Sequence, residues 1–246
     1  PNSAVRSLEL QADGRVLIGG SFTSIDAEPS PRVAMLTSTG ALDASFDPGE
    51  GPNSHVRSVL AQPDGSVLIG GDFNLVNGTS RNRLARLTSA GLLDQTFSIG
   101  TGANNIIHGL GLQADGKILV GGRFTSFSGA AHGRIVRLLE DGTIDPAFDA
   151  GTGANDNVYA LQIQANDNTL VGGSFTQFDG LNRNRLVRLQ GPSTAVGGTL
   201  EFALANYDVS ESLASATIEV VRVGATTEAV SVAYMTANGT ASVADY

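Results

Sequence analysis

The chain has no cysteine and no tryptophan, a single lysine at Lys117, and aromatic residues at only 6% of its 246 positions. Without cysteine there is no disulfide framework, no zinc–thiolate site and no thiol nucleophile, although many bacterial surface proteins also do without it. Basic residues are scarce as well, fifteen against twenty-four acidic, for a formal charge of −9. No basic stripe is present to neutralise phosphates, which argues against nucleic acid and anionic membranes as partners. No run of eighteen apolar residues occurs, and the start has no basic segment leading into an apolar one, so no membrane insertion is expected in this segment.

Glycine is plentiful, at 31 residues, and it is ordered. The pairs Gly19-Gly20, Gly70-Gly71, Gly121-Gly122 and Gly172-Gly173 recur every 51 residues without insertion or deletion. A period near 50 is the mark of a propeller, solenoid or array, in which each copy buries its apolar face on its neighbours. In the second copy Val56 to Ala61 is a strand, Gln62-Pro63-Asp64-Gly65 a tight turn, and Val67-Leu68-Ile69 an apolar strand running into the glycine pair. Together they predict a hairpin. The turn recurs as Asp13-Gly14 and Asp115-Gly116, and in the fourth copy as Ala165-Asn166-Asp167-Asn168. A polar loop over Asn77 to Asn82 follows, then a third strand, Arg83 to Leu87, and a fourth, Leu92 to Phe97. The fold class expected is all-β, with a four-fold 51-residue repeat forming propeller blades and a partial β-sandwich after it.

The fourth strand recurs at Leu42 to Phe46 and Ile144 to Phe148 but has no counterpart in the last copy, and Pro1-Asn2-Ser3 matches Pro52-Asn53-Ser54. The expectation is a fragment of a larger ring within a longer multidomain chain. The spaced motifs Leu112-Gln113-Ala114-Asp115-Gly116-Lys117-Ile118-Leu119-Val120-Gly121-Gly122-Arg123-Phe124, Arg134 to Leu138 and Gly142 to Phe148 resemble the delta-60 repeat family of bacterial β-propellers over residues 1–190. That resemblance implies a secreted or surface-attached bacterial protein with no family-wide enzymatic activity, hence a non-enzymatic scaffold or adhesion role with protein or glycan partners.

After a linker at 191–198 the rhythm changes. Leu200-Glu201-Phe202, Tyr207 to Glu211, Ala216 to Arg222 and Ala229 to Thr236 read as strands of a sandwich. Together with Asn238-Gly239-Thr240-Ala241 and Asp245-Tyr246 they resemble the first half of a Calx-beta domain over residues 199–246. By that resemblance Glu211, Asp245 and Asn238 form part of a calcium site, a hard cation wanting six to eight oxygens. Asn238 replaces a carboxylate and the family's later acidic pair is absent, so calcium is expected in a complete domain, and no cofactor in the propeller.

Within the repeats, Gly49-x-Gly51, Gly100-x-Gly102 and Gly151-x-Gly153 lack the following helix and Lys-Ser/Thr of a phosphate loop, and read as inter-blade turns with positive φ. The loop Asp149 to Asp156 carries oxygens that could hold calcium or bond their own backbone. Arg32, Arg83, Arg134 and Arg185, with Asp43, Asp94 and Asp145, recur as structural elements expected to pair or to bond loop carbonyls. His55, His108 and His132 hold unrelated repeat positions, and Asp26, Asn77, Ser128 and Asp179 form polar loop tips available to a glycan or partner. Function is expected where the copies differ. The alternatives are a lectin-like carbohydrate-binding propeller and an enzyme whose site lies in missing blades.

Overall fold

A computed structural model describes residues 1–190 in full, and residues 199–202 and 220–223 as backbone. Two compact units divide the chain, Pro1–Gly191 and Pro192–Tyr246. The described residues contain strands and turns and no helix, as the repeat predicts. Among the described residues no helix is long and apolar enough to cross a membrane.

Each repeat builds an antiparallel three-stranded sheet with its second strand in the centre. In blade 2 the strands are Val56–Ala61, Val67–Gly71 and Leu84–Leu87, and in blade 3 Ile107–Leu112, Ile118–Gly122 and Ile135–Leu138. Blades 1 and 4 repeat this as Val5–Leu10, Val16–Gly20, Val33–Leu36 and Val158–Ile163, Thr169–Gly173, Leu186–Leu189. The first strands of successive blades lie against one another, so they form the inner wall. In blades 2 and 3 the central strands are buried along their whole length and are apolar throughout, and Phe22, Phe73, Phe124 and Phe175, just past each glycine pair, are fully buried.

The glycine pair is dictated by close approach. A Cβ on Gly70 would sit 2.7 Å from Cγ2 of Ile107 in the next blade, and one on Gly71 would sit 2.1 Å from the His55 carbonyl oxygen. The first glycine admits the neighbouring blade, and the second admits the chain entering its own blade.

Two expectations are corrected. The fourth strand shrinks to single bridges, Leu36↔Leu42, Leu87↔Leu93 and Leu138↔Ile144. Its aspartate ends it: Asp94 Oδ1 accepts from Thr96 N at 2.8 Å and Thr96 Oγ1 at 2.7 Å, which bends the chain so that Phe97 folds back into the core. The loop over Asn77 to Asn82 begins inside a small hairpin, Leu75–Val76 with Thr79–Ser80. Asn77 and Gly78 both have positive φ, 48° and 72°, which marks a primed two-residue turn. In the second unit Thr199–Phe202 pairs antiparallel with Val220–Val223. The other sandwich strands expected from the sequence, and Glu211, Asn238 and Asp245, lie outside the described residues.

Candidate functional site

Aligning the copies places Arg6, Arg57, His108 and Tyr159 at one position of the four inner strands. Each is the extra residue of a β-bulge. In blade 2 the pairing steps from Val56↔Gly71 to Ser58↔Gly70 and leaves Arg57 over, and the same slip occurs at Arg6, His108 and Tyr159. A bulge frees a residue from the ladder and re-aims its side chain. A second column, Ser21, Asp72, Arg123 and Ser174, follows the glycine pairs at the same end of the sheets, where the linkers enter.

The two columns meet. Arg6 Nε donates to Ser21 Oγ at 2.9 Å, and Arg57 grips Asp72 through Nε and through Nη2, the latter at 2.8 Å from Oδ2. His108 reaches the next blade, its ring edge-on to Tyr159 with centroids 5.1 Å apart. Asn157 Nδ2 donates to the Tyr159 hydroxyl at 3.2 Å. Tyr159 is 48% exposed, whereas His108 Nε2 is buried without a hydrogen-bond partner among the described residues. Burial, and then the guanidinium charges of Arg57 and Arg123, hold His108 below the ordinary imidazole range, with Asp72 acting the other way. Burial opposes ionisation of Asp72, but the Arg57 bond and charge outweigh it and keep Asp72 below the usual carboxylate range. Arg123 makes no ion pair among the described residues. One mouth therefore presents a neutral imidazole, a phenol and three guanidinium groups, in a chain that is acidic as a whole.

No motif in the sequence marks this site: the three histidines are indeed unrelated to one another, and the site shows only when each is set in its own column down the repeat. Several of the repeat residues singled out in the sequence make structural contacts. Asn77 Oδ1 accepts from Gly51 N at 2.8 Å and Asp179 Oδ1 from Thr152 N at 3.0 Å, so these loop tips lock the Gly-x-Gly turns, whose glycines all have positive φ. Asp149 and Asp156 accept from the backbone N–H groups of Gly151 and Asn157. Among the described residues no group of three or more His, Asp or Glu is placed to hold a metal. Arg32 and Arg134 donate to the carbonyls of Pro52 and Ala154 in the next blade's linker, each at 2.7 Å, and Arg83 bonds the carbonyls of Asp72 and Phe73. The recurring aspartates pair with other arginines: Asp43 with Arg15 at 3.3 Å, Asp94 with Arg86 at 2.7 Å, and Asp145 with Arg137 at 2.8 Å.

The family described as "Domain of unknown function (DUF5122) beta-propeller" matches residues 11–46, 62–97, 113–148 and 164–191. These matches stop short of the segment that resembles a Calx-beta domain. No curated protein matches the sequence. Among solved structures, the WD40 β-propeller domain of Doa1 is similar at 13% identity and a TM-score of 0.50, over 76% of this chain and 50% of its own. The extracellular domain of a protein described as a hybrid two-component system of B. thetaiotaomicron is 15% identical with a TM-score of 0.47, over 89% of this chain and 26% of its own. Streptogramin B lyase is 15% identical with a TM-score of 0.43, over 80% of this chain and 58% of its own. The chain thus spans about half or less of the first two. The lyase corrects the expectation of a protein without enzymatic activity: an enzyme stands among the matched propellers, so repeated blades give no ground for excluding catalysis.

Proposed function

The chain belongs to the DUF5122 β-propeller family, and on that premise we propose that it is the recognition propeller of a secreted or surface-attached bacterial protein, taking a glycan with an acidic group at the mouth. The observation that supports this most directly is the bulge column, Arg6, Arg57, His108 and Tyr159, where an otherwise uniform repeat carries different side chains. An exposed phenol ring such as that of Tyr159 suits the apolar face of a sugar. The unpaired guanidinium of Arg123 suits a carboxylate. Arg57, held by Asp72, and the neutral His108 supply directional donors beside them. The extracellular setting rests on the delta-60 resemblance.

Titration with uronic-acid oligosaccharides, followed by NMR of the histidine and tyrosine ring signals, tests the reading. Saturable shifts of His108 and Tyr159 that neutral oligosaccharides do not produce are expected, and rings undisturbed by both sets would reject it. The adhesive role with calcium stays a proposal of its own, resting on Glu211, Asn238 and Asp245. Calorimetric calcium binding by the full chain, abolished in Glu211→Ala, is its expected signature, and heat unchanged by that substitution would dismiss it.

A further inference from the structure

The junctions that lead into blades 2, 3 and 4 share one backbone arrangement and differ in one side chain. At each, the residue at the tip of the small hairpin is left-handed, Asn77, Ser128 and Asp179 having φ of 48°, 47° and 49°. Its N–H donates to the second glycine of the Gly-x-Gly turn in the incoming linker: Asn77 N to Gly51 O at 3.1 Å, Ser128 N to Gly102 O at 2.8 Å, and Asp179 N to Gly153 O at 2.8 Å. At the first and third junctions the side chain then closes the gap, through the bonds of Asn77 Oδ1 to Gly51 N and of Asp179 Oδ1 to Thr152 N. Ser128 is too short to do so. Its Oγ lies 2.0 Å from the Cβ position of Gly100, as Asp179 Cγ lies 2.2 Å from that of Gly151, so the serine ends where the carboxylate of the aspartate begins. Gly102 N keeps only the turn bond to Ile99 O at 2.9 Å, and Thr101 N, the counterpart of Thr152 N, has no acceptor among the described residues. A cavity of about 240 Å³ opens there, with Ile99, Phe127 and Ile144 as apolar walls, the hydroxyls of Ser98, Ser128 and Thr143 at its margin, and no charged residue in its lining. Drug-sized ligands occupy about 300–1,000 Å³, so this space suits one substituent of a larger molecule.

We propose that this cavity takes the acetamido group of an N-acetylated amino sugar. Its carbonyl oxygen accepts from Thr101 N, as Asp179 Oδ1 accepts from Thr152 N, and its methyl group packs on Ile99, Phe127 and Ile144. The end of an asparagine side chain is itself an acetamide, so the ligand supplies at Ser128 the group that Asn77 supplies from within the chain. The lining selects the neutral amide over a carboxylate, because an ionised group would lose its hydration there without meeting a cation. The site shares no residue with the mouth and does not rest on the reading of it.

Titration of the full chain with di-N-acetylchitobiose, followed by NMR of the isoleucine methyl signals, tests the proposal. Saturable shifts of Ile99 and Ile144 are expected with this sugar. They are not expected with cellobiose, which has hydroxyls in place of the acetamido groups, or with acetate, which offers the carboxylate. Signals undisturbed by di-N-acetylchitobiose, or shifted alike by all three, would overturn it. Ser128→Asn restores the side chain found at Asn77 at a φ that asparagine tolerates, and is expected to stay folded and to lose at least about tenfold in affinity. Ser128→Gly leaves the cavity open and is expected to bind as the native chain does. Undiminished binding in the asparagine variant, or an equal loss in both variants, would show that the vacancy is not what the sugar fills.

Discussion

At the residue scale, backbone conformation explains choices that side-chain chemistry does not. Arg32, Arg83, Arg134 and Arg185 sit at φ of 64° to 71°, a region costing a non-glycine residue about 1–2 kcal/mol. The strain persists because both backbone groups are bonded: Arg83 N donates to Phe73 O at 2.9 Å and Arg83 O accepts from Gly71 N at 2.9 Å. In urea melts Arg134→Ala is expected to be less stable than Arg134→Gly by about 1 kcal/mol, since glycine relieves the strain while both lose the guanidinium bond to Ala154. Equal losses would mean that strain plays no part. The glycine pairs and Asp-Gly turns were legible in the sequence because glycine advertises its conformation. The left-handed arginines were not, because arginine takes that conformation here only under tertiary constraint, and Arg83 therefore reads as the head of a strand.

At the element scale, each linker is clamped to the small hairpin of its blade by one asparagine. Asn53 Oδ1 accepts from Asn74 N at 3.0 Å and Leu75 N at 3.1 Å, and Asn2, Asn104 and Asn155 do the same in their copies. The match of Pro1-Asn2-Ser3 to Pro52-Asn53-Ser54 is thus a match of function within the fold. Removing the acceptor takes two hydrogen bonds from a solvent-exposed site where water can replace it, so Asn104→Ala is expected to cost about 1 kcal/mol, and Asn104→Asp, which keeps the oxygen, less. An Asp variant as unstable as the Ala variant would contradict the clamp. The sequence carries the hairpin signal in Asn77-Gly78, but strands of two residues are too short for alternation to show. The fourth strand fails for the opposite reason. Its apolar pattern is real, yet Asp94 and its equivalents bend the chain after one bridge, and Phe97 is buried by packing rather than by pairing.

At the scale of the whole molecule, uniform repeats make the framework and the residues that break uniformity make the mouth. The framework also carries a pH signature. Burial lowers the pKa of His108 and of His132 from the ordinary 6.5. On acidification the unfolded chain binds those protons first, so their contribution to stability is complete above about pH 6.5 and is lost as pH falls through the folded values. The melting temperature is expected to decline between pH 7 and 5, and His108→Gln with His132→Gln to flatten that decline. An unchanged slope in the double variant would assign it elsewhere. The fold was legible in the sequence to the level of blades, because a strict period and turn-forming residues retained in every copy leave few architectures. The mouth was not, because a bulge has no composition of its own and its residues fall into line only when the copies are compared position by position.

The measurement that tests the account most directly compares uronic-acid oligosaccharide binding in two variants of the full chain, Arg123→Ala/Tyr159→Ala at the mouth and Arg15→Ala/Lys117→Ala at the opposite ends of the strands. Binding lost in the first and retained in the second is the predicted result. Binding that survives at the mouth and fails at the opposite end would contradict it, and would move recognition away from the positions in which the blades differ.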